Sequence, residues 1–149
     1  MNIQHHSGEI DSDLMTLLLT ADPDKNAILS YIKSAEIIIA LDSEKIIAVA
    51  AITKTDNEFE LKNIAVASDY QGRGIAKSLI AASKDYAKES GATSLIVGTG
   101  NSSLSQLALY QKCGFRISHV IPDFFLEYDE PIFENGIRCL DLVMLRAEL

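Results

Sequence analysis

Along the chain, apolar residues recur first at helical spacing, then in β-branched runs, then at helical spacing again. Asp11 to Thr20 sets Leu14, Leu17 and Leu18 on one face behind an Asp/Ser cap, which predicts a short helix. Asp22-Pro23 predicts the start of a second helix, with Pro in its first turn and Ile28, Leu29 and Ile32 on one face. Glu36 to Leu41 then turns β-branched and stops at Asp42-Ser43-Glu44-Lys45. Lys45 to Lys54 and Phe59 to Val66 continue as strands around a turn at Thr55-Asp56-Asn57, giving an antiparallel meander.

A longer amphipathic helix is predicted from about Gly74 to Ser90, with Ile75, Leu79, Ile80, Ala82 and Tyr86 mainly on one side and Gly91 as its stop. Leu95 to Val97 reads as a short buried strand ending at Gly98-Thr99-Gly100. Ser102 or Ser103 can cap another helix reaching about Lys112. Phe115 to Ile121 and Ile137 to Leu145 read as two closing strands around an acidic connection. The order of elements predicts a mixed sheet flanked by helices. No repeat or linker divides it, and 149 residues suit one domain spanning 1–149.

Composition narrows the chemistry. A net charge of −8 argues against nucleic acid as a partner, which needs a basic face, and would concentrate a cationic substrate near the surface. Cys113 and Cys139 form neither a metal spacing nor a disulfide framework. The adjacent His5 and His6 would point to opposite faces of a strand, so no metal is expected. His119 reads as structural. No apolar run is long enough to cross a membrane, and Met1 to Gly8 lacks the pattern of a secretory signal. A cytoplasmic protein without membrane contact is the expectation.

The most informative stretch is Glu60 to Ala76, where a strand ends near Val66 and Gln71-Gly72-Arg73-Gly74-Ile75-Ala76 opens a helix. The first N–H groups of a helix lack internal partners and carry the positive end of its dipole, so this junction is suited to an anion. Gly72 and Gly74 let phosphate oxygens approach the backbone, while Arg73 and Lys77 add cations within the same turn. The run continues as neither a P-loop nor a dinucleotide fingerprint.

Gln71 to Ala76 resembles the Q/R-x-x-G-x-G/A signature of the GCN5-related N-acetyltransferase (GNAT) superfamily. Asn63 to Val66 is similar to that family's central strand, and Gln106 to Phe115 to its A-x-x-x-Y-x-x-x-G-F element, with Gln in place of the common Ala. Gly98 to Arg138 resembles a bacterial subgroup of small acetyltransferases. The resemblance implies an α/β (α+β) fold: a mixed, mostly antiparallel sheet whose central parallel pair splays apart. It also implies acetyl-CoA as co-substrate in that gap, and direct transfer to a primary amine. Gln71, Gly72, Arg73, Gly74, Ile75, Ala76 and Lys77 would hold the pyrophosphate. The edge at Ile64, Ala65 and Val66 would pair with the pantetheine arm, and a bulge near Ile64 or Ala65 would aim an N–H at the acetyl carbonyl. A homodimer is a further assembly the resemblance implies.

The family's general acid maps onto Tyr110, whose other reading is a core ring. Glu60 matches the base of some members and otherwise pairs with Lys62 or Lys54. Asn101 resembles the family's asparagine that contacts the cofactor arm or orients a water, the alternative being a helix cap; Ser103 and Gln106 would line the same channel. Pro122 to Asn135 interleaves Phe124, Phe125, Tyr128 and Phe133 with Asp123, Glu127, Asp129, Glu130 and Glu134, a surface suited to a cationic amine or simply to solvent. Two rivals stay open: a catalytically silent acyl-CoA-binding regulatory module, and an acidic interaction domain binding a basic peptide.

Overall fold

The computed structural model describes residues 1–56 and 58–149, so the expected turn at Thr55-Asp56-Asn57 lies partly outside the described residues. The chain begins with strand β1 (Asn2–His6), then helices α1 (Ser12–Ala21) and α2 (Lys25–Tyr31), the latter running into a 3-10 turn (Ile32–Ser34). The meander follows as β2 (Glu36–Asp42), β3 (Lys45–Thr55) and β4 (Glu58–Val66). Helix α3 (Ile75–Glu89), β5 (Ser94–Gly100), α4 (Leu104–Lys112) and β6 (Arg116–Ile121) come next. A small hairpin, β7 (Phe133–Glu134) with β8 (Ile137–Arg138), precedes the last strand, β9 (Leu142–Glu148).

One sheet takes the order β1-β2-β3-β4-β5-β9-β6, antiparallel throughout except where β4 meets β5. That parallel pairing runs only through Phe59–Leu95, Glu60–Ile96 and Leu61–Val97, although both strands continue. Beyond Leu61 and Val97 they part. Apolar cores fill both faces of the sheet: Leu61, Ile75, Leu79, Leu95 and Phe115 on the α3–α4 side, Leu14, Leu18, Ile28, Val49 and Ala65 on the α1–α2 side.

Sequence and structure differ at identifiable places. Helix α2 starts two residues after Pro23, because the Asp24 carboxylate caps Asn26 and Ala27 while Asp22 accepts from the Asp24 N–H. The helix is then so short that Leu29 faces solvent, 49% exposed. Strand β1 has little apolar pattern of its own; its edge position leaves NIQHH mostly exposed. The expected strand from Ile137 to Leu145 breaks in two. The side-chain oxygen of Asn101 takes the N–H groups of Leu140 and Asp141 at 2.8 and 3.0 Å, so those residues join no ladder. Ser103 sits at the cap of α4, but its hydroxyl donates to Glu134 instead of capping.

Candidate active site

Between β4 and α3 the chain makes a 3-10 turn (Ser68–Tyr70) and reaches Gly74, the cap residue of α3. Gly72 and Gly74 both lie in the left-handed region, at φ 77° and 78°, which L side chains adopt at a cost. No side chain caps this helix, so the N–H groups of Ile75, Ala76 and Lys77 have no acceptor within it. Gln71 reaches back to the carbonyl of Val66 at 3.1 Å and pins the loop to the strand end. A cavity of about 460 Å³ opens against Gln71, Gly72, Gly74, Ala76 and Lys77. Arg73 stands outside that lining, its guanidinium 5.0 Å over the Tyr70 ring.

The strand edge resolves residue by residue. Ala67 donates to Ile47 at 2.8 Å, which fixes the phase of the β3–β4 ladder. By antiparallel alternation Ala65 spends its backbone groups on β3, whereas those of Ile64 and Val66 face the gap toward β5. The β3–β4 register slips so that Ala51 opposes Asn63 and Ile52 opposes Leu61, leaving Lys62 as the extra residue. The bulge therefore sits at Lys62, not at Ile64 or Ala65. Its effect is on side-chain parity: Phe59 and Leu61 point to the α3–α4 core, and past the bulge Asn63 joins Glu60 on the α1–α2 side.

Through the gap the cavity at the start of α3 meets a second cleft of about 590 Å³, the two sharing Ile64 and Gln106. Tyr110 lines this cleft from α4 with its ring packed against Phe115 at 5.8 Å between centroids. Burial pushes its hydroxyl up to about 12, with Cys113 adding to the effect. It stays protonated across the neutral range. Glu60 also lines the cleft; burial raises its carboxyl above the ordinary range, against the opposing pull of Lys62 at 3.7 Å.

Ser103 reaches the cleft with its hydroxyl committed to Glu134 at 2.8 Å. Asn101 lines neither cavity. Its side chain clamps Leu140, Asp141 and the carbonyl of Arg138, and so anchors the far wall. That wall brings Phe124, Phe125, Tyr128 and Glu134 to the cleft, while Asp129 and Glu130 face solvent. Glycine is required where β5 meets this wall, since a Cβ on Gly100 would collide with the Cys139 sulfur. Asp22, Tyr31 and Asn63 are among the cleft residues that the sequence alone did not mark as such. Asn63 was legible only as one of several polar residues in β4. His5 pairs with Glu36 at 3.1 Å and His6 with the carbonyl of Glu9, both away from the cleft.

A strand pair that opens beside a glycine-rich helix start defines a class, and comparison with known proteins bears it out. The sequence matches the Acetyltransferase (GNAT) family over residues 10–115. It is 44% identical to the N-acetyltransferase YvbK of Bacillus subtilis, over 95% of this chain and 92% of that one. Among solved structures, a GNAT acetyltransferase from Elizabethkingia anophelis with acetyl-CoA bound superposes with a TM-score of 0.93 at 42% identity, covering 99% and 97% of the two chains. An IAA acetyltransferase from Bacillus cereus superposes at 0.92 with 43% identity, covering 99% of each. The chain belongs to the GNAT family. It is an N-acetyltransferase with that family's fold.

Proposed function

We propose that the protein moves an acetyl group from acetyl-CoA directly to a primary amine held in the second cleft. The observation that carries this reading is the parting of β4 from β5, which joins the cavity at the start of α3 to a cleft holding a buried tyrosine and a half-buried carboxylate. Acetyl-CoA bound in the Elizabethkingia anophelis relative supports the same co-substrate here. Its pyrophosphate would lie on the free N–H groups at the start of α3, with Gln71, Gly72, Gly74 and Lys77 around it. The pantetheine arm would follow the unpaired edge at Ile64 and Val66.

The chemistry follows from protons. A neutral amine attacks the thioester carbonyl, and charge collects on its oxygen; a backbone N–H on the open β4 edge would stabilise it. Glu60, its carboxyl raised by burial, takes the amine proton through water. Collapse expels the CoA sulfur, and the Tyr110 hydroxyl donates to it. Calorimetric titration with acetyl-CoA, followed by thiol release in the presence of amines, tests the reading. Binding with turnover supports it, and absence of binding at millimolar acetyl-CoA would sink it.

A further inference from the structure

On the α1–α2 side of the cleft one polar atom stands without a partner. Asn63 is 4% exposed, and its amide nitrogen donates to the Leu18 carbonyl at 3.1 Å and to the Tyr31 hydroxyl at 3.2 Å. Because Leu18 offers only a lone pair, the amide cannot be reversed. Its Oδ1 is left buried, with no hydrogen-bond partner among the described residues. Natural interiors rarely leave such an acceptor unpaired unless a ligand or water meets it.

The surroundings say what that ligand carries. Tyr31, accepting from Asn63, lines the same cleft as two carboxylates; burial first, then Asp22 and Glu60, raise the pKa of its hydroxyl. Asp22 receives the Tyr128 hydroxyl and the Asp24 N–H on one oxygen, leaving the other free among the described residues. The lining includes one cation, Lys62, already 3.7 Å from Glu60 and 5.9 Å from the centre of the Tyr31 ring. Acceptor oxygens thus outnumber donors on this wall, beside the faces of Tyr31, Tyr128 and Phe125. A protonated nitrogen satisfies them; a carboxylate does not.

We infer that Asp22, Tyr31 and Asn63 form a subsite for a second, cationic nitrogen, so that the acceptor is a diamine: one nitrogen is acetylated with Glu60 as its base while the other stays protonated against this wall. The inference rests on the acetyl-transfer reading above and deepens it. No bond beyond that transfer forms or breaks.

Three acceptors of one chain length test it: diaminobutane, butylamine and γ-aminobutyrate, ending in a cation, a methyl group and an anion. With acetyl-CoA saturating, kcat/KM is expected to fall in that order, diaminobutane leading butylamine by at least about tenfold. In Asn63→Leu and in Asp22→Asn the ratio of diaminobutane to butylamine should drop toward one. A merely structural role for Asn63 would slow both amines together and leave the ratio intact. Calorimetry with acetyl-CoA verifies that each variant is folded. Equal rates on the two amines, or preference for γ-aminobutyrate, by a protein that still binds acetyl-CoA overturns the subsite and spares the parent reading. Failure to bind acetyl-CoA removes both.

Discussion

The two halves of the cleft are built in different ways. The proposed phosphate site comes from one continuous stretch, Ile64 to Lys77, in which a strand end, two left-handed glycines and an uncapped helix start follow in order. The opposite wall draws on Asp22 from the α1–α2 junction, Tyr31 from α2, Glu60 and Asn63 from β4, and Phe125 and Tyr128 from a segment held down by Asn101. A local site survives as long as its loop geometry does. A composite site depends on the docking of three elements. Changes on one side should therefore leave the other side's ligand nearly untouched, and variants that break this independence would refute the division.

Gly74→Glu should have the largest effect. It forces a side chain into φ 78° and puts a negative charge where an anion is expected, so acetyl-CoA binding should vanish from calorimetry up to millimolar concentration. Tyr110→Phe sharpens the comparison from the chemical side. The proposed acid is lost, so kcat should fall about 100-fold or more while the Kd for acetyl-CoA changes less than about threefold. Measurable turnover at the parent rate would return Tyr110 to a packing role.

Asn101→Ala probes the clamp. It leaves the N–H groups of Leu140 and Asp141 without their acceptor, and stability should drop by about 1–3 kcal/mol in urea unfolding. The KM for the amine should rise, and acetyl-CoA affinity should hold. Glu60→Gln gives the smallest stability change, with opposite sign. Burial holds the Glu60 carboxyl above its unfolded value, so ionisation costs stability as pH rises through the folded value. The amide variant should melt about 1–2 °C higher at neutral pH, a gain that disappears below the ordinary carboxylate range. Its rate should also lose the acidic limb of the parent pH profile.

The same contrast explains what could be read from residues alone. The meander, α3 and the Gln71–Ala76 loop announce themselves through local spacing, and the structure places them within a residue or two of expectation. Tyr110 and Glu60 were legible because they keep fixed distances from such signals. Asp22 was noticed only beside Pro23 as a helix start, and nothing local says that α1 and α2 carry it to β4. Strand β1 lacks an alternation to detect, and the break before β9 is set by Asn101, remote in sequence. Of the acidic-aromatic segment, sequence alone could not sort Tyr128 and Glu134, which reach the cleft, from Asp129 and Glu130, which do not.

The extra residue at Lys62 works as a phase shift in the strand. On either side of it, odd and even positions of β4 exchange faces, so counting by twos from Phe59 assigns Asn63 to the wrong side of the sheet. Were the alternation to run unbroken through Lys62 instead, holding Phe59 and Leu61 in the α3–α4 core would send Asn63 there with them, and Ile64 and Val66 would leave it. The carboxamide would then lie beneath α3, away from Tyr31. A chain of this kind can vary its turns at little cost, but the bulge between Leu61 and Asn63 sets which atoms its substrates meet.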